Sequence, residues 1–239
     1  MKKICCAIAF IPLLLFGQSN QESTMSPSEW TGVWDNVKNV PTFNLKAIGY
    51  NDIPRDLLFK GVLVECLEFD DANGHNLLIL TQTGMFPVSK KNEEGVYEKS
   101  NDRAELNAYL YVRSDEKSNY KSLWKVFDFQ DCDDADLYLG FSKKSLSITD
   151  LDANGIAEVS FQYVLSCRSD VSPSDRKLYC FESSDKFLFR GVTTLEGMST
   201  DEATIDAKVE MSSAIKELMQ KKWTQFESDS FQQFSYPQN

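Results

Sequence analysis

Asp150, Asp152, Asn154, Gly155 and Glu158 stand at positions 1, 3, 5, 6 and 9 of a D-x-D-x-N-G-x-x-E run within "ITDLDANGIAEVSF". Oxygen-bearing side chains at alternate positions converge on one point only if the backbone curls around it, and a glycine at position 6 permits the curl. A hard cation with several oxygen ligands would offset the mutual repulsion of the three carboxylates. Calcium is the cation this donor set predicts, held by Asp150, Asp152, Asn154, the backbone carbonyl of Ile156, and Glu158. The competing expectation is a tight polar turn in which Asp and Asn side chains cap their own backbone.

Two further features define the loop. Position 12 is Phe161, where a helical EF-hand requires a bidentate glutamate, so that arrangement is excluded. The flanks read as strands, and in this the run resembles the calcium loops of FG-GAP or integrin-type β-propeller blades. Those loops usually carry Asp at positions 5 and 9; neutral Asn154 and the longer Glu158 predict weaker binding here. The tetrapeptide "DANG" occurs a second time at Asp71–Gly74, but Phe69 and Leu77 occupy its positions 1 and 9, so this copy is expected to be an ordinary turn. His75, the single histidine, is expected to be solvated beside that turn.

The elements that must position the acidic run read as consecutive hairpins. Leu57–Phe69 and Asn76–Gly84 are apolar on both faces and flank an Asn-Gly turn, which predicts a central antiparallel pair. Phe86–Arg103 is polar and reads as a long loop. Glu105–Ser114 and Ser122–Asp131, rich in aromatic and β-branched residues, form a second hairpin. In the third, "SLSIT" leads through the acidic run into a strand that alternates Val159, Phe161, Tyr163, Leu165 and Cys167 with Glu158, Ser160, Gln162 and Ser166. That pattern predicts a strand covered on one side only. "RKLYCFES" and "KFLFRGVT" form a fourth. Met211, Ile215, Leu218, Met219, Trp223 and Phe226 recur at helical spacing, with Ser212 or Ser213 as N-cap, so one amphipathic helix should lie on the sheet. The expected fold class is mainly β (α+β): an antiparallel meander with one C-terminal helix.

The first residues, "MKKICCAIAFIPLLLFGQSN", carry two lysines, an apolar run and then small polar residues, the layout of an export signal spanning 1–17. The apolar run is shorter than the roughly 20 residues of a membrane span and contains Pro12. A linker over 18–29, one β-rich domain over 30–227 and a trailing tail over 228–239 complete the expected layout, with no membrane span after cleavage and a periplasmic or extracellular location. With 25 Lys+Arg against 36 Asp+Glu and a net charge of -11, the chain repels phosphate backbones, which argues against a nucleic-acid partner. Four cysteines remain beyond the leader: Cys66, Cys132, Cys167 and Cys180. An oxidising compartment favours disulfides, of which three pairings are open.

The run Phe129–Gly191, through Cys132, "DLDANGIAEV" and "SCRSDVSPSDRKL", resembles a family of small exported bacterial proteins named for surface-polysaccharide biosynthesis. The resemblance implies a cell-envelope role and a Cys132–Cys167 disulfide, leaving Cys66 and Cys180 as a second bridge; because Cys66 sits mid-strand in an apolar run, a buried free thiol is the competing expectation there. It supplies no catalytic residue. The expected function is a non-enzymatic envelope protein associated with surface glycan, with Trp30, Trp34 and Trp124 as a possible stacking surface for sugars. Arg168, Asp170, Asp175 and Arg176, in the loop that opens at Cys167, form ion pairs on a solvated turn or present themselves to a ligand. Two alternatives stand beside this reading: a glycoside hydrolase driven by two carboxylates, and a secreted module that binds a protein through an exposed strand edge.

Overall fold

In the computed structural model, residues 43–194 and 203–225 are described. The expected leader, linker and tail, together with Trp30, Trp34 and Phe226, lie outside them.

The chain folds as two antiparallel sheets and one helix. The first sheet contains β1 (Lys46–Ala47), β2 (Val62–Asp71), β3 (Gly74–Gln82), β4 (Phe86–Lys91), β5 (Tyr97–Arg113) and β6 (Lys121–Cys132). Strand β5 is long enough that β3 and β4 share one of its sides end to end while β6 takes the other. The second sheet contains β7 (Asp136–Phe141), β8 (Ser147–Thr149), β9 (Glu158–Arg168), β10 (Asp175–Glu182), β11 (Asp185–Val192) and β12 (Thr204–Ala207). Here β7 and β8 share one side of β9, and β10 takes the other.

All four expected hairpins form, in the register β2–β3, β5–β6, β8–β9 and β10–β11. The first strand begins later than expected, at Val62, because Leu57 and Phe59 before it pack onto the outer apolar layer of the sheet instead of joining its ladder. Phe86–Arg103, expected to be a loop, forms β4 and the first part of β5. Its side chains are mostly exposed, so apolar periodicity is absent and the backbone ladder itself defines the strand.

The main core lies between the sheets, where Phe69, Leu78, Leu80, Leu106 and Trp124 from one meet Phe141, Phe161, Tyr163 and Phe181 from the other. Trp124 stacks on Phe181 with centroids 4.1 Å apart and is buried. It is therefore a core residue and offers no surface to a sugar. Each sheet also has a second apolar layer on its outer face. Ile53, Leu57 and Phe59 cover part of the first sheet over Cys66, Leu77 and Ile79. Helix α1 (Ser213–Gln225) covers the second, placing Ile215, Leu218, Met219 and Trp223 on Leu178, Cys180, Phe187 and Phe189. Ser212 caps it, its hydroxyl accepting from Ile215 N at 3.2 Å.

The helix changes the reading of β9. Glu158, Ser160 and Gln162 are buried, so this strand is covered on both faces and not on one. The polar side survives burial because it is hydrogen-bonded. Ser147 and Ser160 hydroxyls lie 2.9 Å apart, Gln162 Nε2 donates to Ser142 Oγ at 3.1 Å, and Lys222 from α1 donates to the Ser145 carbonyl at 2.7 Å.

Candidate metal centre

The acidic loop joins β8 to β9, and the register Thr149↔Glu158 makes Glu158 the first paired residue after it. Ala153 and Gly155 adopt positive φ, 58° and 80°, which curl the backbone within the loop. Carboxylate oxygens of Asp150, Asp152 and Glu158 then come within 4.8 Å of one another, the one such acidic group of three among the described residues. Asp152 is exposed, Asp150 half-buried and Glu158 buried.

The loop's own donors hold this arrangement. Asp150 accepts from Gly155 N at 3.2 Å, and Asp152 accepts from Asn154 N at 3.1 Å. Glu158 accepts from Leu151 N at 3.0 Å and from the Thr149 hydroxyl at 2.8 Å. Asn154 is turned to the backbone: its Oδ1 accepts from Ile156 N at 2.7 Å, while its Nδ2 donates to Asp152 and to Glu182. The capped turn forms, and of the expected ligands it brings together Asp150, Asp152 and Glu158, while Asn154 spends its side-chain oxygen on Ile156 N.

Burial pushes the Glu158 carboxyl above its ordinary range, and the nearby charges of Asp152 and Glu182 push the same way; the Leu151 and Thr149 hydrogen bonds oppose them. Two unit charges about 4 Å apart repel by roughly 1 kcal/mol in water and about 4 kcal/mol at the dielectric of a protein surface. A bound cation turns that repulsion into attraction. The triad can hold a metal ion.

Two participants were not legible in the run itself. Glu182 stands beside Glu158 through the β9–β10 register, which loop spacing does not show. The "DANG" copy at Asp71–Gly74 is more than an ordinary turn: it docks on the loop. Ala72 N donates to the Gly155 carbonyl at 2.8 Å, and Asp71 Oδ2 accepts from Ala157 N at 3.0 Å. The acidic loop is therefore a joint between the two sheets.

At the other end of β9, Cys167 is bonded to Cys132, the last residue of β6. Cys66 and Cys180 are free and buried, which corrects the second expected bridge. Cys66 faces the outer layer of the first sheet and Cys180 lies under the helix on the second, so the core separates them. Burial pushes both thiols far up, consistent with inert packing.

His75 is not merely solvated: its Nδ1 lies 2.7 Å from Asp70 Oδ1. Its Nε2 is sealed from solvent, so no substrate can meet it there. Arg176 is buried, with its guanidinium 3.7 Å from the Trp223 ring centroid and donating to the Trp223 carbonyl, so it anchors the helix rather than pairing on a solvated turn. Arg168 donates to the Ser172 carbonyl, and Asp170 accepts from the Ser172 hydroxyl at 2.6 Å. A cleft of about 530 Å³ beside the disulfide is lined by Asp102, Asp133, Asp134 and Asp136. The last three are exposed.

No protein-family model, curated protein or solved structure matches the chain.

Proposed function

We propose that the chain is an exported, non-catalytic module of the cell envelope, associated with surface polysaccharide, in which Asp150, Asp152 and Glu158 hold calcium as a structural brace. The observation that carries the brace is the convergence of three carboxylates within 4.8 Å, one of them buried, at the joint between two sheets. Calcium there and the Cys132–Cys167 bond would pin β9 at its two ends. The leader-like first residues and the disulfide support export. The glycan association is supported by the resemblance of Phe129–Gly191 to the polysaccharide-biosynthesis family.

Thermal unfolding with calcium and with chelator tests the brace. At calcium a hundredfold above its Kd, stabilisation of about 2.7 kcal/mol is expected, and a chain of this size gains roughly 2–4 °C in Tm for each kcal/mol. Asp152→Ala, at an exposed position, removes the gain while leaving the apo protein folded. Identical melting with calcium and with chelator overturns the proposal.

A further inference from the structure

Strand β5 has two sides, and along its first residues only one of them is used. On one side the ladder to β4 runs from Phe86↔Arg103 to Lys91↔Tyr97. On the other the ladder to β6 ends at Asp102↔Cys132. Among the described residues no strand pairs that side of residues 97–101. The chain does not continue along it, because Cys132 is bonded to Cys167 of β9 and the next residues lead into the second sheet as β7. An unpaired edge presents a row of backbone N–H and C=O groups to any strand that reaches it.

A cleft lies where the β6 ladder ends. Its volume is about 530 Å³, and residues 99–102 of β5 and 132–136 of the connection to β7 line it. The lining sets one lysine against four aspartates. Lys99 donates to Asp102 Oδ2 at 2.9 Å, so these two are matched. Asp133, Asp134 and Asp136 are exposed and have no ion pair among the described residues. The hydrogen bond to Asp102 holds the Lys99 ammonium above its ordinary range, and the charges of Asp134 and Asp133 push the same way.

Charge selects the strand that fits. A second copy pairing through this edge would bring the same aspartates against each other, and like charges face to face are destabilising. The register shift between Val88 and Ser89 and the lysine at 99 also blunt the edge against a like strand. An acidic segment meets the same repulsion. A basic segment gains on both counts: its main chain extends the ladder, and its cations meet Asp133, Asp134 and Asp136. Main-chain hydrogen bonds give such an added strand its affinity, and side chains at alternate positions give its specificity.

We infer that the open edge at residues 97–101 takes up an extended, basic segment of a protein partner as an added strand, in the place that β6 vacates at Cys132. This goes beyond the calcium brace and the glycan association and depends on neither.

Titration of the full, disulfide-bonded chain with the amidated, acetylated peptide Lys-Val-Lys-Val-Lys-Val, followed in 15N–1H amide spectra, tests it. The amides of residues 97–101 and 132–136 are expected to shift. The same peptide N-methylated at every residue keeps its charge but has no ladder donors, and it should not bind; a Glu-Val counterpart should not bind either. Asp133→Asn with Asp134→Asn weakens the Lys-Val peptide by about tenfold at unchanged Tm, since Asn tolerates the positive φ of Asp134. Equal binding of the N-methylated peptide reduces the interaction to charge alone and overturns the inference. So do unchanged affinity in the double variant, shifts centred on residues 150–158 instead, or no binding of the Lys-Val peptide to the wild type.

Discussion

Asp71–Gly74 and Asp152–Gly155 spell the same four residues, and in both the aspartate accepts from the backbone N–H of the asparagine two residues on, at 2.8 and 3.1 Å. The first copy closes a hairpin with Asp71 opposite Gly74; the second lies inside a wider loop between β8 and β9. Around the first, positions 1 and 9 are Phe69 and Leu77, both in the apolar layers of the sheet. The Asp71 carboxylate is taken up by Asn73, Asn76 and, across the joint, Ala157. Around the second, positions 1 and 9 are Asp150 and Glu158, and with Asp152 they gather three carboxylates whose oxygens each accept a hydrogen bond from the loop or the start of its flanking strands. A tetrapeptide sets the turn; its neighbours decide whether further carboxylates gather at it.

The glycines separate the copies most sharply. Gly74 has φ +131°, and a Cβ there would meet the Arg113 carbonyl oxygen at 2.4 Å, a backbone atom that cannot move aside. Gly155 has φ +80° and would meet only Ala72 Cβ, at 3.8 Å. Gly74→Ala is therefore expected to cost about 3 kcal/mol or more, and Gly155→Ala about 1–2 kcal/mol, the strain of a left-handed residue alone. Urea unfolding of the two variants checks the difference; equal losses would mean that the two turns are conformationally equivalent. Next in size is Asp71→Ala, which leaves Ala157 N, Asn73 N and the Asn76 amide without their acceptor. A loss of about 2 kcal/mol is expected, together with a smaller gain in Tm on adding calcium, because the joint that holds the acidic loop is loosened. An undiminished calcium shift in this variant would show that the loop forms without its neighbour.

Local signals carried most of this architecture. The Asn-Gly turn, the period-2 alternation of β9 and the helical spacing of Met211–Trp223 each depend on residues close in sequence, and each was legible. What the sequence hid depends on partners far along the chain. The polar face of β9 reads as solvated, yet Ser160 and Gln162 are buried where Ser142, Ser145 and Ser147 hydrogen-bond along that face and Lys222 of α1 reaches the Ser145 carbonyl. Strand β4 carries Ser89, Lys90 and Lys91 outward and is defined by its ladder to β5, which leaves no apolar period to read. Cys66 and Cys180 match in burial and chemistry, and only the sheet topology shows that they point away from each other. At the acidic loop Asp150, Asp152 and Glu158 were legible as a group, whereas Glu182 and Asp71 enter only through strand register and the joint between sheets.

The two corners also differ in how they answer to acid. Beside the first copy, the hydrogen bond from His75 holds the Asp70 carboxyl below its ordinary value of 3.8, with a smaller contribution from Asn44. A carboxyl lowered on folding contributes stability that is present above pH 3.8 and lost as the pH falls through its folded-state value. Beside the second copy, Glu158 is raised by burial, so in chelator its contribution has the opposite sign: unfolding free energy increases as the pH falls toward its ordinary 4.5. Asp70→Asn should therefore flatten the acid limb of the stability curve below pH 3.8 and leave the limb above 4.5 unchanged. The Asp70 side chain is 49% exposed, so the loss at neutral pH is expected to stay under about 1 kcal/mol. Urea midpoints collected across the acid range check this, and a change confined to the region above pH 4.5 would place the titration at the acidic loop instead.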